Sequence, residues 1–138
     1  MNGECKLETL LQNLAPVLCS KRYVIGSIDS WSDPLPDGLL ATIQEPEALT
    51  VIAPVAEVGG LGLEPSVVFR CIRLDVHSSL QAVGLTAAIS TRLARHGISA
   101  NLLAGAYHDH LLVPEGDAER ALCLLEELSS EARRAKLR

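Results

Sequence analysis

Residues 77–103 read HSSLQAVGLTAAISTRLARHGISANLL, and this stretch constrains the fold more than any other. Leu85, Ile89 and Leu93 recur every four residues, which places three apolar side chains on one helix face, while Arg92 and Arg95 fall on others. Ser78 and Gln81 have the spacing of a capping box, in which a hydroxyl and an amide satisfy backbone donors reciprocally. Gly97 stands where a helix-ending glycine belongs. Strands bracket this helix. Upstream, Val68, Ile72, Leu74 and Val76 share one face of an extended run over 67–76, with Arg70 as the exception. Downstream, 98–106 reads as a strand and 110–113 as another, separated by Tyr107, His108 and Asp109. Pro114-Glu115-Gly116 forms a loop, and Asp117 is placed to cap a last helix. That helix points Ala118, Ala121, Leu122, Leu125 and Leu128 inward, and from Ser129 onward it is polar enough to be solvated or frayed. The second half therefore reads β-α-β-β-α.

The first half is a fainter version. Leu7, Leu10, Leu11 and Leu14 make an amphipathic helix over 6–14, stopped by Pro16. A β-rich run at 23–28 leads into DSWSDPLPDG (29–38), which has the punctuation of a surface loop. Its Trp31 is expected to fold back over the core edge rather than serve as a contact anchor. Strands at 39–44 and 49–53 follow, then a helical turn near 55–60 ended by the glycines at 59, 60 and 62. The run 67–76 can close this half, whereas no clear final strand follows the last helix to close the other. Segments 41–54 and 100–114 both run strand, turn, strand and proline before a helix, differing by one residue in the turn, which points to internal duplication. The expected class is α+β: two ferredoxin-like βαββαβ halves, residues 1–66 and 67–138, with antiparallel sheets and helices packed on one face.

Composition narrows the function classes. With 48% hydrophobic and 21% charged residues, 138 residues can bury a real core, built from aliphatic side chains because only 3% are aromatic. The net charge of -5 and the scarcity of aromatic platforms argue against nucleic acid. The one basic cluster, Arg133-Arg134-Ala135-Lys136, sits at a helix C-terminus, where cations favour the dipole. No apolar run approaches the roughly 20 residues that span a bilayer. The N-terminus lacks the basic and apolar regions of a signal peptide, so a cytoplasmic protein with reduced thiols is expected. Cys5, Cys19, Cys71 and Cys123 include no C-x-x-C pair, so neither a zinc site nor a redox motif is suggested. Cys71 and Cys123 fall in apolar periodic segments and are expected in the core.

Val76-His77-Ser78-Ser79-Leu80, Ala82-Val83-Gly84-Leu85-Thr86, His96-Gly97-Ile98-Ser99-Ala100-Asn101 and Tyr107-His108-Asp109-His110-Leu111-Leu112-Val113-Pro114 together resemble the ACT domain. The match is closer still to the small tandem ACT-type proteins of bacteria, akin to the repeats of the cytosolic arginine sensors of animals. It covers 67–128 well and the first half as a degenerate copy. The resemblance implies a noncatalytic regulatory module without a cofactor. Such a module binds a small effector, commonly an amino acid, forms a homodimer or docks on a regulated protein partner, and has no nucleic-acid or membrane partner.

On that reading the ligand lies near His77, Ser78, Ser79, Val83 and Gly84, with Tyr107, His108, Asp109 and His110 forming one wall. A helix N-terminus with Ser78, Ser79 and Gly84 nearby offers amide donors suited to a carboxylate, and glycine lets a ligand approach the backbone. Taken alone, Ser78 reads equally as a cap and Gly84 as relief of helix–strand crowding. Asn101, opposite in facing to Ala100 and Leu102, either reaches a ligand or dimer partner or is solvated. His96 before the helix-ending glycine reads as structural. His108 and His110 point to one side of a strand and could supply two zinc ligands, with His77 or Asp109 as a third, but Asp109 points the other way and no second motif with ligand spacing is visible. A hairpin turn, with Asp109 bonding backbone amides, is the commoner fate. A structural interaction module and a small metal-dependent enzyme using His108 and His110 are the alternatives.

Overall fold

The computed structural model describes residues 3–29, 34–64 and 67–137; Trp31 lies outside them. In chain order the elements are α1 (Leu7–Gln12), β1 (Pro16–Ile28), β2 (Ala41–Gln44), β3 (Leu49–Pro54), α2 (Val58–Leu61), β4 (Phe69–Leu74), α3 (Leu85–Arg95), β5 (Asn101–Ala104), β6 (Asp109–Pro114) and α4 (Ala118–Lys136). Short 3₁₀ turns at Val55–Glu57 and Glu115–Asp117 lead into α2 and α4. The architecture is the expected α+β fold with antiparallel strands. Two compact units result: Met1–Ser20 with Arg70–Arg138, and Lys21–Phe69.

In the first unit the strand order is β1, β4, β6, β5, so residues 16–20 of β1 supply the strand that closes it. Proline is tolerated as the first residue of β1, where the ladder needs no donor from it. Ile72 and Leu74 on β4, and Leu111 and Val113 on β6, alternate onto one face. There they meet Leu10 and Leu14, Leu85, Ile89 and Leu93 of α3, and Ala118, Ala121, Leu124 and Leu125 of α4. Arg70 falls on the same side by alternation, and its guanidinium donates to the Cys19 carbonyl oxygen at 2.7 and 3.2 Å.

Three expectations about the helices change. First, α3 begins at Leu85 after Gly84, not at Ser78, so the capping box does not form. Gly84 has φ +103°, a left-handed conformation open to glycine, and this sets the start. Second, Ser129 onward is not frayed. Ser129 is 3% exposed, and its hydroxyl donates to the Gln12 carbonyl at 3.2 Å, which Arg133 also reaches at 2.9 Å. The carbonyl-rich end of α1 is thereby capped by α4, which runs on to Lys136. Third, Cys123 is exposed rather than in the core, because it lies off the stripe of residues 118, 121 and 125. Asp117 does occupy the N-cap position of α4, but its carboxylate pairs with Arg120 at 3.5 Å instead of capping an amide. Gly97 behaves as expected: with φ +70°, it and Ile98 donate to the carbonyls of Ala94 and Leu93, each at 3.0 Å.

The second unit has strand order β2, β3, β1. Ile28, Val51, Ala53, Leu61 and Leu63 form its smaller core. Gly62, at φ +67°, ends α2, while Gly59 and Gly60 lie within it. The two hairpins are built alike. Gln44 pairs with Leu49 and Ala104 with Asp109, and each loop is clamped by its first amide donating to its last carbonyl: Glu45 to Ala48 at 3.1 Å, and Gly105 to His108 at 3.0 Å. The turns are therefore equal in length, and the one-residue difference expected from sequence came from setting Ala41 against Ala100 instead of Asn101. The starts of β2, β3 and α2 at 41, 49 and 58 recur at 101, 109 and 118, each later by 60. This constant interval supports duplication.

Candidate functional site

The site lies in the first unit, where the chain leaves β4 and travels through 75–84 to α3. The N-terminal segment secures this loop. Glu4 donates to the His77 carbonyl at 2.9 Å, and its own carbonyl accepts from Ser79 N–H at 2.8 Å, forming a parallel bridge with Ser78. Gly3 is packed so closely that a β-carbon there would lie 2.5 Å from the Ser78 carbonyl carbon. Sequence gave no signal for Gly3 or Glu4 beyond the glycine itself, because both act only through a partner some 75 residues away (78 − 3 = 75). Further on, Gln81 N–H bonds the Ser79 hydroxyl at 3.1 Å and Ala82 N–H the Ser79 carbonyl at 3.0 Å.

Ser78 and Asp109 come together. The Ser78 hydroxyl donates to Asp109 Oδ2 at 3.1 Å, which brings two of the expected residues into contact, although Asp109 was expected to bond turn amides. Alternation along β6 sends Asp109, Leu111 and Val113 to the helix-covered face, so the carboxylate emerges beside the N-terminus of α3. There the amides of Leu85, Thr86 and Ala87 precede the first intrahelical donor, Ala88, which bonds Gly84 O at 2.9 Å. No side chain caps α3, leaving its positive dipole end open.

Two adjoining cavities surround these groups. One of about 110 Å³ is lined by Ser78, Ser79, Leu80, Ala82, Leu85, Thr86, Ala104 and Asp109. The other, about 320 Å³, is lined by Gly3, His77, Ser78, Ser79, Leu80, Gln81 and Ala106. Leu85, Thr86 and Ala104 were not anticipated as lining residues; the small residues of the first helical turn were the available signal. Leu80, which lines both cavities, is 73% exposed; Tyr107 lines neither and is 62% exposed, with its ring 6.0 Å from that of His77.

Other expected residues lie elsewhere. Gly84 approaches Leu7 rather than a cavity: a β-carbon there would sit 3.0 Å from Leu7 Cδ2. Val83 is 83% exposed and lines neither cavity. Asn101 is exposed at the start of β5, opposite Leu112, and shares a face with His110 rather than with Asp109. His110 is held below its ordinary pKa, first by burial and then by His108 and Arg73, with Asp109 opposing. His108 Nδ1 is buried without a hydrogen-bond partner. Among the described residues, no group of three or more His, Cys, Asp or Glu side chains is placed to hold a metal ion. No helix among them is long and apolar enough to cross a membrane.

Two ACT-domain family models match the chain, one over residues 66–127 and one over residues 2–70. The chain belongs to the ACT domain family, whose members are generally regulatory modules that bind small molecules and commonly oligomerise. Among solved structures, it is 44% identical to a Vibrio cholerae protein described as of unknown function and a possible transport protein. That alignment covers 89% of this chain and 95% of the other, with a TM-score of 0.77. An Agrobacterium tumefaciens protein shares the fold at 18% identity and a TM-score of 0.64, covering 83% of this chain and 88% of its own. A structure of aspartokinase alpha and beta subunits does so at 14% identity and 0.56, covering 83% and 96%. Among curated proteins no significant match is found.

Proposed function

We propose that the chain is a noncatalytic, amino-acid-binding regulatory protein, and that the free amino acid binds where Asp109 faces the N-terminus of α3. The observation that carries this reading is the pairing of opposite charges across one small cavity. The first-turn amides of Leu85 and Thr86, which no side chain caps, and the positive helix end suit an α-carboxylate. The Asp109 carboxylate, oriented by Ser78, suits an α-ammonium. The side chain of the ligand would extend into the larger cavity toward His77 and Leu80.

Signalling in this reading is a choice between packings. A ligand that binds one arrangement better shifts the population toward it, by no more than its differential affinity. The exposed Leu80, Val83 and Tyr107 offer apolar surface for a second copy of the chain, and a homodimer is the assembly we assign. A regulated protein partner would receive the signal. We place the protein in the cytoplasm, in keeping with its unpaired cysteines.

A thermal-shift screen against the twenty amino acids tests this, because a ligand that binds only the folded state raises the melting temperature. One or a few amino acids should stabilise the wild type and fail to stabilise Asp109→Ala. Equal stabilisation of the Asp109→Ala protein would refute the assigned site, and a flat response for the wild type would refute the function.

A further inference from the structure

The C-x-x-C spacing that marks a redox pair in sequence is missing, yet the fold assembles a dithiol from residues 52 positions apart (71 − 19 = 52). Cys19 lies on β1 and Cys71 on its hydrogen-bonded neighbour β4. The Arg70 guanidinium, one residue from Cys71, donates to the Cys19 carbonyl at 2.7 Å and ties the two strands together at this level. Asp75 N–H donates to the Ala15 carbonyl at 3.1 Å, and this antiparallel register, continued along the two strands, sets Cys71 opposite Cys19. Cys19 is half-buried and reachable from solvent, whereas Cys71 is 2% exposed.

We propose that Cys19 and Cys71 form an oxidation site for hydroperoxides, in which Cys19 reacts first and Cys71 resolves it to a disulfide between β1 and β4. The chemistry balances as follows. The Cys19 thiolate attacks the peroxide O–O bond, which breaks to leave a Cys19 sulfenic acid and release the alcohol, or water from hydrogen peroxide. The Cys71 sulfur then attacks the sulfenic sulfur; the S–O bond breaks, and the hydroxide departs with the Cys71 proton as water. Two thiols are oxidised by two electrons and one hydroperoxide is reduced.

Three features support this order of events. Burial first, and then the Cys19 neighbour, push the Cys71 thiol up to about 12, so it stays protonated and slow toward peroxide, leaving the more exposed Cys19 to meet it first. Arg73, two residues along β4 and on the same face as Cys71, lies within electrostatic reach of both sulfurs, though it is shared with Asp75 at 2.5 Å. Cross-strand neighbours have β-carbons roughly 4.5–5.5 Å apart, while a disulfide needs about 3.5–4.5 Å, so closure asks only a small approach. Because β4 delivers the 75–84 loop, the disulfide would brace the strand that carries the ligand site.

The full chain with Cys5→Ser and Cys123→Ser, which removes the two exposed thiols, is treated with hydrogen peroxide. Free thiols are then counted after denaturation, alongside intact mass and peptide mapping. The expected result is loss of both remaining thiols in a monomeric chain, a mass lower by two hydrogens, a linked Cys19–Cys71 peptide, and full reversal by dithiothreitol. Adding Cys71→Ser should stop the reaction at a Cys19 sulfenic acid that dimedone traps. Two retained thiols would overturn the proposal. So would a Cys19 sulfinic or sulfonic acid beside a free Cys71, or linkage only between chains.

Discussion

Replacing Leu10 by alanine tests whether the N-terminal helix belongs to the same folded unit as residues 70–137. α1 has six residues, too short to persist on its own, so its position depends on packing. Leu10 is fully buried among side chains of β4, β6, α3 and α4. Leu→Ala at such sites costs about 2.7–5.0 kcal/mol, more where the surroundings cannot close over the gap. α1 is pinned at its end by Ser129 and Arg133 on the Gln12 carbonyl, which limits collapse, while its shortness allows some settling. These opposing effects place the cost near the middle of the range, about 3–4 kcal/mol. For a unit of this size that lowers the melting temperature by roughly 12–30 °C, at about 4–8 °C per kcal/mol. Urea titration followed by far-UV circular dichroism should show a lower midpoint with an unchanged slope. Glu8→Ala, on the exposed side of the same helix, should shift stability by less than about 0.5 kcal/mol. A Leu10→Ala cost below about 1 kcal/mol would refute the assignment of α1 to this core.

Gly84→Ala should destabilise by roughly 1–2 kcal/mol, from the positive φ and from pressure on Leu7, as read by thermal melting. Leu7→Ala in the same chain should relieve the second part only. This makes Gly84 a poor site at which to test ligand binding, since substitution there acts on the fold. The depressed pKa of His110 gives a pH dependence with a definite sign. The unfolded chain takes up the proton more readily, so stability is lost as pH falls through about 6.5 toward the lower folded value. His110→Gln should flatten the melting-temperature profile between about pH 7.5 and pH 5.5; an unchanged slope would exclude His110 as its source.

Much of the first unit was legible because its signals are local. The 85/89/93 spacing gave α3, Gly97 its end, and the alternation in 67–76 gave β4. What failed was local pattern used where a distant partner decides. Ser-x-x-Gln at 78–81 looks like a cap, but the Ser78 hydroxyl is taken by Asp109 across 31 residues and Gly84 sets the helix start. Ser129 looks solvated, yet Gln12 lies against it. The strand closing the first unit, residues 16–20, precedes the unit's other strands in sequence, so no reading along the second half could find it. The site followed the same rule. His77, Ser78, Ser79 and Asp109, chosen on residue type near a helix start, do line the candidate cavities, whereas Gly3 and Glu4 had no local mark. His108 and His110 were expected in one wall with Asp109, and Asn101 on a ligand-facing side of its strand; strand alternation puts Asn101 and His110 on the face opposite Asp109.

The central claim is that a free amino acid bridges the N-terminus of α3 and Asp109. Backbone amide chemical shifts of uniformly labelled full-length protein, recorded on titration with an equimolar mixture of the twenty amino acids, test it most directly. The account predicts saturable shifts centred on the Leu85 and Thr86 amides and on Ser78 and Asp109, absent in Asp109→Ala. Unmoved amides at these four positions, with saturable shifts elsewhere or none, would contradict it.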